Sequence, residues 1–152
     1  MIEEKIKELG FEVPEAPKPV AAYIPAIVDG NLVFTAGQLP FSTGELKYKG
    51  KLGKEVSEEE GQKAAELCAL NCLSAVKSVV GSLDKIERIL KVTVFVNSAS
   101  GFVMQPKVAN GASEFFVKVF GEQGKHVRSA VGVNELPMNA PVEVEIMAKL
   151  KS

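Results

Sequence analysis

The stretch "SEEEGQKAAELCALNCLSAVKSVVG" (57–81), followed closely by "ERILKVTVFVN" (87–97), decides the fold. In the first, Ala65, Cys68, Ala69, Cys72, Val76, Val79 and Val80 recur at helical spacing and make one apolar stripe. Ser57 and Glu60 have the spacing of a capping box, acidic residues fill the first turn, and Gly81 stops the helix. In the second, Leu90, Val92, Val94 and Val96 alternate with other residues at period two, in a segment rich in β-branched side chains. A long helix with one buried face therefore runs directly into a strand.

The pattern repeats on the C-terminal side. A helix beginning near Pro106 presents Val108, Ala112, Phe115, Phe116 and Val119 on one face and ends at Gly121. The strands "HVRSAVGVN" (126–134) and "VEVEIMAKL" (142–150) follow. On the N-terminal side, two strand-like runs flank Asp29-Gly30, a hairpin signal, with Pro25 marking an edge strand or a bulge. Residues 39–53 read as loop, residues 2–9 as a short helix stopped by Gly10, and the proline-rich segment 12–19 as an extended arm. The order is β-β-α-β-α-β-β. It predicts an α+β domain, a single mixed sheet covered on one face by two helices. Residues 1–19 would be an extension laid over a domain of residues 20–152. The second sheet face, carrying valine, phenylalanine and methionine, has no helix left to cover it, which suggests an oligomer.

Composition narrows the function. The chain has 152 residues, 18 basic and 19 acidic, with a net charge of −1. Such a balance gives no field to gather nucleic acid or a membrane surface. No run approaches the roughly 20 apolar residues of a membrane span, and the charged N-terminus does not resemble a signal segment; the cytosol is the expected compartment. Cys68 and Cys72 share a helix face, but with His126 they supply only three of the ligands a structural zinc needs, so small reduced core residues are expected and no metal.

Arg128 is the residue that composition does not explain. In "VRSAVGV" (127–133), Arg128, Ala130 and Gly132 share one side of the strand and the valines the other. An arginine among small residues reads as a structural ion pair, with Glu143 or Glu145 as partner, or as an anion anchor whose neighbours leave space. From the residues alone the ion pair is the better reading. Gly37 and Gly132 would allow close backbone approach.

The motifs "VFTAGQLP" (33–40), "LKVTVFVNS" (90–98), "NGASEFF" (110–116), "VRSAVGVNELP" (127–137) and "VEVEIMA" (142–148) occur in an order that resembles the RidA family, also called YjgF or L-PSP, over roughly residues 20–150. The resemblance implies a chorismate-mutase-like fold and a homotrimer with clefts between subunits. It implies hydrolysis of reactive enamines and imines, such as 2-aminoacrylate, to 2-keto acids and ammonia, without a cofactor. Arg128 matches the arginine that holds the substrate carboxylate and Glu143 the family's glutamate. Tyr23, Gly37 and Asn110 match cleft residues. Two cleft positions depart from the pattern: a family serine is Ala36 here, and a frequent cysteine is Ala130. The resemblance turns the reading of Arg128 toward the anion site. It leaves open a non-catalytic binder of small carboxylates or a regulatory protein. The endoribonuclease or translation-inhibitor role attached to the family name is the weakest reading, since the chain has no basic clusters.

Overall fold

The computed structural model describes residues 1–18 and 22–152. Its centre is a five-stranded sheet made of β1 (Ala26–Asp29), β2 (Leu32–Thr35), β5 (Ile86–Asn97), β6 (Val127–Val133) and β7 (Val142–Leu150). The strand order is β1-β2-β7-β5-β6. Only β5 and β6 run parallel; the other neighbours are antiparallel. A parallel neighbour needs a crossover, and α3 (Gln105–Phe120) supplies it between β5 and β6. The longer α2 (Glu58–Val80) carries the chain from β2 to β5, leaving the place between them for β7. Both helices lie on one face of the sheet, so the α+β architecture expected from the periodicities is the one observed.

The stops and starts follow local chemistry. Ser57 Oγ accepts the Glu60 N–H at 3.1 Å, and the Glu60 carboxylate accepts the Ser57 N–H at 3.0 Å, closing the capping box. The β1–β2 hairpin turns through Gly30-Asn31, one residue later than the Asp29-Gly30 signal suggested. β1 is an edge strand, as Pro25 required.

Three details differ from the sequence expectation. Residues 39–53 are not all loop: β3 (Phe41–Ser42) and β4 (Glu45–Leu46) pair as a small hairpin. Its turn, Thr43-Gly44, has both residues at positive φ (52° and 81°), and threonine in place of asparagine or aspartate hid the signal. In β5 the irregular register between Ile89 and Lys91 resets the alternation, so Ile89 is buried instead of Leu90, while Val92, Val94 and Val96 stay in phase. On α2, Val79 is 40% exposed; the buried stripe passes through Val76 and Val80.

The core lies between helices and sheet. Cys68 and Cys72 sit in it as donors, their thiols directed at the Val142 and Val144 carbonyls at 3.5 and 3.3 Å. Burial pushes both thiols well above the ordinary range. Among the described residues no cluster of three or more His, Cys, Asp or Glu side chains could hold a metal. The helices themselves meet closely: a Cβ on Gly111 of α3 would overlap the Gln62 carbonyl of α2. At the N-terminus, α1 (Ile2–Glu8) buries Ile6 fully and is tied to Asp84 by the Ile2 N–H at 2.9 Å. Phe11 then packs edge-on to Phe115 at 5.5 Å. No described helix is long and apolar enough to cross a membrane.

The other sheet face is uncovered by any described element. Val127 (66%) and Val131 (45%) lie on it at the edge, with Phe95, Glu143, Glu145 and Met147 further in.

Candidate functional site

The strand β6 lies at the edge of the sheet, and its register settles where Arg128 points. Arg128, Ala130 and Gly132 pair with Val92, Val94 and Val96, whose side chains are fully buried beneath the helices. Arg128 is therefore on the helix side. There its Nη1 donates to Asn110 Oδ1 at 2.9 Å and to Ser113 Oγ at 3.1 Å, two residues one turn apart on α3. Among the described residues no carboxylate comes within ion-pair distance of it. A guanidinium has five N–H donors. Nη1 is spent on α3, and among the described residues no protein acceptor meets the Nε and Nη2 edge. That edge is the planar fork that takes a carboxylate in two hydrogen bonds.

A further pair completes this side. His126, two residues before Arg128 and on the same side of the chain, places Nε2 2.9 Å from Ser113 Oγ and Nδ1 2.6 Å from the Gly124 carbonyl. Burial of the ring pushes its pKa below the ordinary histidine value; the Gly124 carbonyl opposes that, and the Arg128 charge adds to it. The sequence reading gave His126 little weight and missed Ser113. The signal was present: Asn110 and Ser113 are i, i+3 on one helix, and His126, just before β6, is two residues from Arg128.

The remaining candidates fall into a second group. Glu143 pairs with Phe95 and so lies on the uncovered face, with β5 between its strand and Arg128. Gly37 lies directly against it; a Cβ there would overlap the Glu143 carboxylate. The chain is held in place by Gln38, whose N–H and carbonyl exchange hydrogen bonds with Val144 at 2.8 and 3.0 Å. Ala36, beside Gly37, donates its N–H to the Pro25 carbonyl at 2.8 Å, which brings the segment carrying Tyr23 to the same end. Tyr23 is 62% exposed. Desolvation, and then the neighbouring Glu145 charge, hold the Glu143 carboxyl above the usual carboxylate range. A carboxyl so placed keeps or takes a proton closer to neutral pH, which suits acid–base work.

Two expectations change. The ion pair of Arg128 with Glu143 is not formed, because the two lie on opposite faces of the sheet. Gly132 is exposed, but the place a Cβ would take is occupied by Gln105 Nε2 and Ser98 Oγ, so its small size is accounted for by these neighbours. Ala130 packs against the core beside Val94. One chain thus carries two partial sites, an anion anchor with Asn110 and a carboxyl with Gly37, and does not bring them together.

Comparison with known proteins agrees with the fold. The family model described as "YjgF/chorismate mutase-like, putative endoribonuclease" matches residues 3–150, so the match takes in α1. The crystal structure of Atu1372 from Agrobacterium tumefaciens, a protein of unknown function, is 44% identical and superposes with a TM-score of 0.93 over 99% of this chain and 92% of that one. The 2-iminobutanoate/2-iminopropanoate deaminase of Dermatophagoides farinae is 31% identical, covering 89% of this chain and 91% of the relative. Escherichia coli TdcF, solved with bound serine, is 26% identical, with a TM-score of 0.64 over 91% and 94% of the two chains. Sheet order, crossovers and these matches agree: the chain belongs to the RidA (YjgF) family.

Proposed function

We propose that this protein is a cofactor-free deaminase that hydrolyses 2-imino acids and their enamine tautomers. For 2-aminoacrylate, one water is consumed and pyruvate and ammonia are released. The observation that carries the reading is Arg128, whose Nη1 is fixed on α3 while the carboxylate-matching edge has no counter-ion among the described residues. A half-buried guanidinium whose fork has no counter-ion among the described residues is suited to an anion. The deaminase name of one relative and the amino acid bound in another support a small substrate of this kind.

The work divides among the residues in the following way. Arg128 binds the carboxylate. Asn110 holds Arg128. Glu143 orients water and handles its proton, and Gly37 leaves room for that carboxyl. Tyr23 supplies a hydroxyl near the same end, and Ala36 and Ala130 line the cleft. Imine hydrolysis is undemanding chemistry, and positioning one carboxylate and one water is sufficient. Because Arg128 and Glu143 face opposite ways in one chain, the complete site is built between copies. A homotrimer packed through the uncovered sheet face would provide three such clefts and cover Val127 and Val131.

The test is to generate 2-aminoacrylate in situ and follow keto-acid release. Acceleration that is lost in Arg128→Ala supports the reading. Carboxylate binding without acceleration would instead indicate a non-catalytic binder.

A further inference from the structure

Beside Arg128, the contacts of His126 and Ser113 select one tautomer of the neutral ring. The Gly124 carbonyl can only accept, so Nδ1 carries the ring proton and Nε2 is a bare acceptor. Ser113 must then donate its hydroxyl hydrogen to Nε2, while its oxygen accepts from Arg128 Nη1. In this state the hydroxyl has no hydrogen to offer a ligand. If His126 gains a proton, both ring nitrogens become donors. Ser113 Oγ then accepts from His126 and from Arg128, using both lone pairs, and its hydrogen is free to turn outward.

We infer that His126 and Ser113 form a proton-linked contact for the anion at Arg128: His126 takes up a proton as the carboxylate binds, and the Ser113 hydroxyl turns from the ring to the carboxylate. This rests on the carboxylate-binding reading above. Both are positioning elements of the anion site, and Ser113 becomes a direct ligand only in the protonated state.

The electrostatics run in that direction. The charged groups around the ring are few. Arg128 is two residues on, in β6. Beyond α3 lies the Glu122–Lys125 ion pair, at 2.7 Å. On β5, Arg88 donates to the Lys125 carbonyl. From α3 the ring meets Ser113 and the Phe116 ring, edge-on at 6.0 Å. Glu114 and Lys118 of α3 act instead on Glu66 of α2. Of these charges Arg128 is the one that acts on the ring, and it opposes protonation of His126. An anion on the free edge of Arg128 cancels that opposition and adds an attraction of its own, so binding and protonation favour each other.

The probe is pyruvate, titrated calorimetrically into the whole protein near the ordinary histidine pKa of about 6.5, in MES and in imidazole buffers of different ionisation enthalpy. The buffer dependence of the heat should report proton uptake. Affinity should strengthen on acidification by up to about tenfold per pH unit, the limit for one linked proton. In His126→Gln the uptake should vanish, and in Ser113→Ala the affinity gained at low pH should shrink, because the charge coupling through Arg128 remains while the hydroxyl contact is lost. Pyruvate binding that needs Arg128 yet shows no proton uptake, or uptake undiminished in His126→Gln, overturns the inference. Absence of pyruvate binding, or binding that survives Arg128→Met, overturns the carboxylate reading instead. A ligand-free measurement then still decides the coupling. His126 is the only histidine, so its ring signals in proton NMR are unambiguous. Its pKa should rise in Arg128→Met, and an unchanged value overturns the coupling.

Discussion

At the scale of single residues, Arg128 is where the sequence posed a choice and the structure answered it. The two candidate glutamates share parity with each other along β7, but parity within a strand does not say which face of the sheet it is. The register with Val92 and Phe95 does, and it separates Arg128 from Glu143. Arg128→Lys keeps the charge and loses the fork. It should cost about 1.5–3 kcal/mol, roughly 10- to 150-fold in kcat/KM or in 2-keto-acid affinity, measured by keto-acid release and by calorimetry. His126 gives a prediction of opposite character, on stability. Its folded pKa lies below the unfolded value, so the unfolded chain binds protons more readily in the interval between them. Stability is therefore complete above about pH 6.5 and falls as the pH drops toward the folded pKa. Thermal melts of the ligand-free protein should show this loss on acidification, and His126→Gln should show less of it.

At the scale of elements, the long amphipathic segments were legible and the short ones were not. The stripes of α2 and α3 and the caps of α2 follow from spacing alone, because tertiary burial reinforces the local pattern. Ser57→Ala should lower stability by about 1 kcal/mol through the lost cap, read from the denaturation midpoint, with ligand binding unchanged. The β3–β4 hairpin and the irregularity in β5 escaped because each depends on one or two backbone angles or on a partner strand, which a single-strand pattern does not contain. The Ser113–His126 pair escaped for a related reason. It joins a helix to the residue that leads into β6, and only the parallel packing of β6 beside β5 under α3 brings them together. Gly111 is another product of packing. Gly111→Ala would force α3 away from the Gln62 carbonyl and should destabilise by about 1–3 kcal/mol, even though alanine has the better helix propensity. A denaturation midpoint raised above wild type would contradict that close approach.

At the scale of the whole molecule, the proposed homotrimer accounts for both partial sites and for the bare sheet face. Under the proposed function, a protomer with Arg128 as anion anchor on one side of the sheet and Glu143 as acid–base carboxyl on the other needs a second copy to complete the cleft. Sedimentation equilibrium should accordingly give a trimer, and a monomer stable at micromolar concentration would remove the basis for shared sites. The measurement that tests this most directly mixes two inactive proteins. Arg128→Ala and Glu143→Gln are each expected to lose 2-aminoacrylate hydrolysis. Unfolded together at equal concentration and refolded, they would reassemble at random. If Arg128 and Glu143 of one cleft come from different subunits, a cleft has an even chance of receiving each intact residue, and about a quarter of wild-type activity should return. Activity no higher than that of either parent, in mixed trimers shown to have formed, would contradict a site shared between subunits.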